Sequence, residues 1–279
     1  MTVPSLQVRG RAVPAIMYGT AWKEDDTARL VRLALDAGFR AIDTANQRKH
    51  YFEAGVGEAV AAAGVPREKL FLQTKFTYAR GQDHRLPYDP RASFATQVEQ
   101  SFAISLEHLG TSYVDSFVLH GPASGRGLTP ADREVWTTME ALAKADKTRL
   151  LGVSNVSLEQ LAAFVELASV PIAFVQNRCY ARTGWDRDVR ALCRREGIVY
   201  QGFSLLTANE RELRAPRVRS IAARLGVGIP EVVFRFAHQL GMLPLTGTSD
   251  PEHMRQDLGS LALELDAADV EALEQVAFA

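Results

Sequence analysis

The chain has little cysteine, no excess of either charge and no long apolar run, and each scarcity removes a class of protein. Only Cys179 and Cys193 among 279 residues are cysteine. Two thiols cannot build the multi-bridge framework of a small secreted domain, and their spacing is not that of a metal-ligand pair. Lys plus Arg number 32 and Asp plus Glu 33, a formal net charge of −1. Such a balance provides no field for nucleic acid or an anionic membrane surface, so neither partner is expected. No apolar run approaches the ~18 residues that cross a bilayer, and Met1 to Arg9 lack the apolar centre of a secretory signal. A cytoplasmic protein without a metal is the expectation. Low-complexity stretches and Pro/Gly/Ser-rich linkers are also missing. At ~150 residues per domain the length suggests two domains, but α/β barrels run to about 250 residues as one. A single domain over residues 1–279 is expected.

What is present is a recurring unit of about 30 residues: a short apolar run, a polar loop, then a segment of helical period. The apolar runs are Ala15 to Tyr18, Arg40 to Ile42, Leu70 to Thr74, Val114 to Leu119, Leu150 to Val153, Ile172 to Val175, Ile198 to Gly202 and Met242 to Leu245. All eight are too short for helices and read as strands buried on both faces, as in a parallel sheet. Between them, Phe94, Val98, Phe102, Leu106 and Leu109 form an amphipathic stripe ending at Gly110. Thr129-Pro130 and Ser157 are helix starts, helical pieces span Val218 to Leu225 and Pro230 to Leu240, and a last helix spans Ala267 to Val276. Eight alternations of β and α predict an α/β fold, a (β/α)8 TIM barrel. A doubly wound open sheet is the alternative, but no G-x-G-x-x-G follows the first strand.

A barrel of this kind does its chemistry at the carboxyl ends of its strands. Those ends carry Asp43, Lys75, His120, Ser154-Asn155, Gln176-Asn177 and Phe203-Ser204. Singly, each has an ordinary explanation: a turn-capping Asp, a solvated Lys, a satisfied core His. Three ionisable groups ending three adjacent strands point instead to one polar mouth, in which a buried Lys with a carboxylate partner tunes a neighbouring acid.

These residues resemble the aldo-keto reductase superfamily. Asp36-Ala-Gly-Phe-Arg-Ala-Ile-Asp-Thr-Ala45, then Tyr51 and Glu53-Ala-Gly-Val-Gly-Glu58, is similar to one signature of that family. Ser105 to Asp115 running into Leu119-His120 resembles a second, and Gly152-Val-Ser-Asn155 with Gln176-Asn177 resembles its nicotinamide-amide site. The resemblance runs in order from Gly19 to about Leu258. It implies a tetrad of Asp43, Tyr51, Lys75 and His120: hydride passes from a reduced nicotinamide to a carbonyl carbon while the tyrosine protonates the oxygen. Lys75, held by Asp43, would lower the phenol's pKa, and His120 would orient the carbonyl oxygen. The chain departs from the pattern after Asp43, where position 48 is Arg and two extra residues precede Glu53. His50 then stands in strict register with Tyr51 beside it; Tyr51 is taken as the acid, with His50 the alternative.

The resemblance further places Gly19 and Thr20 beside the cofactor, with Ser154, Asn155 and Gln176 on the carboxamide, Phe203 stacked on the nicotinamide and Ser204 next to it. In the loop after the eighth strand, Ser249 or Asp250 caps a helix from Pro251, which leaves free backbone N–H groups for a phosphate. Thr248, Ser249, His253, Arg255, Gln256 and Asp257 are the candidates there. Gly247 and His253 occupy positions where NADP-preferring relatives usually have Lys and Arg. NADPH is the expected cofactor, with NADH open. Trp22 and Tyr180 are expected on the substrate side, a small carbonyl compound as substrate, and a monomer. No long C-terminal loop follows the last helix, which implies an open pocket. Competing readings are a nicotinamide-binding redox sensor without turnover and a biosynthetic redox epimerase or imine reductase using the same residues.

Overall fold

The computed structural model describes residues 4–278. The chain opens with an antiparallel hairpin, β1 (Ser5–Val8) and β2 (Arg11–Pro14), which the pattern of apolar runs did not predict. Its two-residue turn, Arg9-Gly10, has φ of 48° and 78°. Two positive φ values are what a type I′ turn requires, and Arg-Gly supplies them less conspicuously than Asn-Gly.

The eight expected strands are all present: β3 (Met17–Gly19), β4 (Ala41–Asp43), β5 (Phe71–Phe76), β6 (Val114–Leu119), β7 (Thr148–Ser154), β8 (Phe174–Arg178), β9 (Val199–Phe203) and β10 (Leu243–Thr246). They pair in parallel around a closed barrel in the order β10-β3-β4-β5-β6-β7-β8-β9. Every residue of β4, β5 and β10 is buried, which explains their apolar runs without alternation.

Outside lie α1 (Thr27–Ala37), α2 (Glu53–Ala63), α3 (Phe94–Leu109), α4 (Pro130–Lys144), α5 (Leu158–Leu167), α6 (Arg187–Arg195), α7 (Glu210–Leu213), α8 (Pro216–Leu225), α9 (Ile229–Gln239), α10 (Pro251–Gly259) and α11 (Ala267–Glu274). Local chemistry sets their bounds. The Ser93 hydroxyl accepts from Thr96 N at the start of α3, and Thr129 with Asp132 and Ser157 with Gln160 form reciprocal capping boxes for α4 and α5. Gly38 and Gly110 end α1 and α3 in positive φ. Helix α11 stops at Glu274, two residues short of the expected Val276.

Two apolar clusters result. The large one fills the space between barrel and helices. The smaller joins Val8 and Val13 of the hairpin to Met17, Ala41, Phe71, Phe174 and Leu243, each the first residue of its strand. The hairpin therefore plugs the amino end of the barrel and leaves the carboxyl end as the working face.

Candidate functional site

At that carboxyl end lies a cavity of about 520 Å³. Asp43, ending β4, lines it and meets Lys75, the fifth residue of β5, just behind its wall. Lys75 Nζ donates to both Asp43 oxygens at 2.6 and 2.7 Å and to the Thr44 carbonyl at 2.8 Å, with no solvent exposure of the lysine. Below them Gln73, Gln176 and Gln201 close a ring. Gln73 and Gln176 both donate to Asp43 Oδ1 (2.7 and 3.1 Å) and to Gln201 Oε1 (2.8 and 3.0 Å). Burial pushes the Lys75 ammonium below its ordinary pKa; the charges of Asp43 and Glu53 oppose that. Gln73 and Gln201 were missed in the sequence, although a lone glutamine inside an otherwise apolar strand is a visible signal of a polar barrel layer.

His120 follows β6. Its Nδ1 lies 2.7 Å from the Thr77 hydroxyl. Burial, then the Lys75 charge and His50, bring its pKa down to about 3, so the imidazole is neutral. Tyr51 stands edge-on to this ring at 5.8 Å between centroids, and Lys75 Nζ is 5.1 Å from the Tyr51 ring centre. The structure therefore brings Tyr51 together with Asp43, Lys75 and His120. His50 also lines the cavity, but at the rim, stacked on Trp22 with centroids 3.9 Å apart and its carbonyl accepting Trp22 N–H at 2.7 Å.

One electrostatic expectation is reversed. The Tyr51 phenol lies above its ordinary pKa rather than below it, because burial outweighs every other influence and Asp43 adds to it. The Lys75 charge is already engaged by Asp43, and no hydrogen bond among the described residues joins Lys75 or His120 to the phenol oxygen.

A second carboxylate stands behind Tyr51. Glu53 opens α2, two residues after Tyr51, and is 3% exposed. It accepts a short hydrogen bond from Thr74, the neighbour of Lys75, and pairs with His108 Nδ1 at 3.2 Å, which raises the pKa of His108. Helix α2 packs directly on the end of α3: a Cβ on Gly57 would lie 1.9 Å from the His108 carbonyl oxygen, so only glycine fits. These contacts fix the loop that carries Tyr51.

Ser154, Asn155, Gln176, Phe203, Ser204, Gly19 and Trp22 all line the cavity. Ser154 donates to the Gln176 carbonyl (2.6 Å), and Asn155 Nδ2 donates to Ser154 Oγ (3.1 Å) and the His120 carbonyl (2.8 Å). Thr20 does not reach the cavity: it is buried, with its hydroxyl on the Asp43 carbonyl at 2.9 Å. Three lining residues that are not glycine hold positive φ, Trp22 at 63°, Asn155 at 53° and Ser204 at 55°. Such backbone costs on the order of 1 kcal/mol or more apiece and clusters where ligands bind. Tyr180 departs from its expected place. It lies outside the cavity lining, in the turn after β8, where its carbonyl accepts from Thr183 and Trp185 and the Arg182 guanidinium covers its ring at 4.4 Å.

The loop after β10 bounds a second cavity of about 500 Å³ that shares Ser204, Leu245, Thr246 and Gly247 with the first. Thr248, His253, Gln256 and Asp257 line it; Ser249 and Arg255 do not. Arg255 is paired with Glu252 on the exposed face of α10. The N–H groups of Glu252 and His253, expected to be free, are occupied by the side chain of Asp250 at 2.7 and 3.3 Å. Asp257 is 3% exposed, receives the Thr246 hydroxyl at 2.6 Å, and burial pushes its pKa up to about 6. A cation that the sequence did not single out, Lys23, lies behind Gly247 without lining either cavity. Its Nζ donates to the Gly247 carbonyl at 2.7 Å, and burial lowers its pKa to about 8. A lysine directly after Trp22 was the available signal.

No group of three His, Cys, Asp or Glu suited to a metal exists among the described residues, and none of their helices is long and apolar enough to cross a membrane. A family model described as the aldo/keto reductase family matches residues 15–277. An aldo-keto reductase of Mycobacterium marinum is 31% identical over 277 residues, covering 98% of this chain and 91% of that protein. Another, of Mycolicibacterium vanbaalenii, is 32% identical over 263 residues, 94% of this chain and 88% of that one. The crystal structure of an aldo/keto reductase from Brucella melitensis has a TM-score of 0.85 at 24% identity, over 99% of this chain and 100% of that chain. That of a Bombyx mori aldo-keto reductase in complex with NADP has 0.83 at 22%, over 99% and 93%. At these identities the two structures speak for the fold.

Proposed function

The chain belongs to the aldo/keto reductase family, and from that premise we propose that it reduces an aldehyde or ketone to an alcohol with NADPH, NADH being a possible alternative. The observation that carries the reading is the convergence of Asp43, Tyr51 and His120 on one cavity, with Lys75 buried against Asp43 and the Tyr51 ring.

The cavities suit a dinucleotide: two joined spaces run from Tyr51 to His253. On the Tyr51 side, Gln176 Nε2 and Asn155 Nδ2 are engaged within the protein, and Gln176 Oε1 and Asn155 Oδ1 have no donor among the described residues. These oxygens would accept from the carboxamide, and the Phe203 ring would lie on the nicotinamide face. Thr248, His253 and Gln256, which line the second cavity, would face the phosphate and adenosine parts; NADP bound to the Bombyx mori enzyme supports that choice of cofactor. When bound, the reduced nicotinamide supplies the hydride.

The chain's own residues would manage the oxygen and its proton. Neutral His120, with Thr77 donating to Nδ1, would present an Nε2 proton to the carbonyl oxygen. Tyr51, held protonated by burial, would give its proton as alkoxide character develops. An alkoxide is more basic than a phenolate, so the transfer runs downhill even from a raised phenol. Lys75, kept cationic by Asp43, would then stabilise the phenolate left behind. Exposed Trp22 lies where a substrate enters. The free thiols Cys179 and Cys193 support a cytoplasmic location. A monomer belongs to the same reading.

The test follows the absorbance of NADPH, then NADH, over a panel of aldehydes and ketones, with Tyr51→Phe alongside. Oxidation by the native protein and a loss of three or more orders of magnitude in the variant are expected. A fully active Tyr51→Phe would reject Tyr51 as the acid and move the test to His50. Cofactor binding without turnover of any carbonyl would favour a sensor.

A further inference from the structure

The charges around the mouth select among carbonyl compounds. The 520 Å³ cavity is lined by two arginines, Arg80 and Arg178, and by one carboxylate, Asp43, with Lys75 buried behind it. Asp43 is already committed to Lys75, Gln73 and Gln176. Neither arginine has an ion-pair partner among the described residues. Their surroundings differ. Arg178 ends β8, two residues after Gln176, with its guanidinium over the Phe203 ring at 5.7 Å. That is the side where the nicotinamide would lie. Arg80 comes from the loop after β5, beside Thr77 and Gly81, and its Nη2 donates to the carbonyl of Pro122, two residues beyond His120. One contact holds the guanidinium on the His120 side and leaves its other N–H groups without an acceptor among the described residues. Two carboxylates of this region are otherwise engaged: Asp83, three residues on, pairs with Arg85, and buried Asp132 accepts from Tyr78, Ala123 and Thr129. A guanidinium fixed in this way is a ready partner for a planar carboxylate.

We propose that the substrates of this protein are carbonyl compounds that also carry a carboxylate, which Arg80 receives at the rim while the carbonyl points to Tyr51 and His120. The inference rests on the reductase reading for the carbonyl, not for the anion. Two measurements therefore separate them. Trp22 is the exposed tryptophan at the mouth, whereas Trp136 and Trp185 are fully buried, so quenching of its fluorescence reports binding without turnover. Benzoate is expected to bind at least about tenfold more tightly than benzamide, and Arg80→Gln to erase that ratio. In turnover, 4-carboxybenzaldehyde is expected to exceed its methyl ester in kcat/KM by about tenfold or more, with the ratio falling to near one in Arg80→Gln. Equal binding of benzoate and benzamide, or a ratio that survives Arg80→Gln, overturns the proposal. A ratio lost in Arg178→Gln but kept in Arg80→Gln also overturns it, by moving the anion to the cofactor side. If benzoate is discriminated through Arg80 while no aldehyde is reduced, the anion site stands and the reductase reading fails.

Discussion

The two ends of the barrel are built from opposite materials. At the amino end, Val8 and Val13 of the hairpin close over Met17, Ala41, Phe71, Phe174 and Leu243, an apolar plug whose unusual backbone is confined to the Arg9-Gly10 turn. At the carboxyl end a buried ion pair, three glutamines and three positive-φ residues surround an open cavity, with a half-buried His–carboxylate pair behind Tyr51. Hydrophobic burial at the plug contributes stability with no geometric demand beyond packing. The mouth contains arrangements that are costly unless complete, since a buried charge or amide without its partner loses its full desolvation energy. One end holds the fold together, and the other uses that stability to keep reactive groups in place.

The sharpest way to break this contrast is to remove one member of the ion pair. Asp43→Ala leaves Lys75 buried and uncompensated, at a cost of about 3–5 kcal/mol. Urea denaturation should show that loss, and NADPH oxidation should fall to background. The double variant Asp43→Ala/Lys75→Met removes both charges and should recover much of the stability while remaining inactive. A double variant as unstable as the single one would mean that the pair itself stabilises the barrel. At the other end, Phe174→Ala deletes a fully buried ring that meets Phe71 edge-on at 5.9 Å. The cost is again about 3–5 kcal/mol, but kcat/KM measured well below the melting temperature should stay within about twofold. A large loss of activity there would show that the ends are mechanically coupled. Between the two, Gly57→Ala forces α2 off α3 and should cost about 1–3 kcal/mol, with turnover falling as well because α2 anchors the Tyr51 loop.

How far the sequence reveals these regions follows the same division. The barrel was legible because parallel strands buried on both faces leave uninterrupted apolar runs, and Ser93, Thr129, Ser157 and Gly110 mark helix ends by chemistry that acts within four residues. The plug was not, because two four-residue strands around Arg9-Gly10 carry no strong local signal. At the mouth, Asp43, Lys75 and His120 could be found from their positions after apolar strands. Their electrostatics could not, since the rise in the Tyr51 pKa depends on enclosure by residues distant in sequence. Asp250 likewise answers the α10 N–H groups that the Pro251 start seemed to leave free. Tyr180 misled because it lies only four residues past Gln176, yet a turn intervenes and carries it out of the cavity.

The smallest predicted effect asks whether the mouth is costly even where no reacting group is involved. Asp257 sits under the second cavity with a single hydroxyl donor, and burial holds its pKa near 6 against an ordinary carboxylate value of about 4. Below pH 4 the group is protonated in both the folded and the unfolded chain and contributes nothing. Between about 4 and 6 the unfolded chain releases the proton while the folded chain keeps it, so stability falls as pH rises, and it stays at the lower level above 6. Asp257→Asn keeps an acceptor for Thr246 and removes the charge. It should raise the melting temperature at pH 7.5, by an amount equivalent to on the order of 2 kcal/mol, with the advantage disappearing near pH 4. An equal advantage at both pH values would assign the effect to packing, and a loss at pH 7.5 would show that the carboxylate is compensated by groups on α10 or α9. Either result would locate the cost of the mouth in the Asp43–Lys75 pair alone.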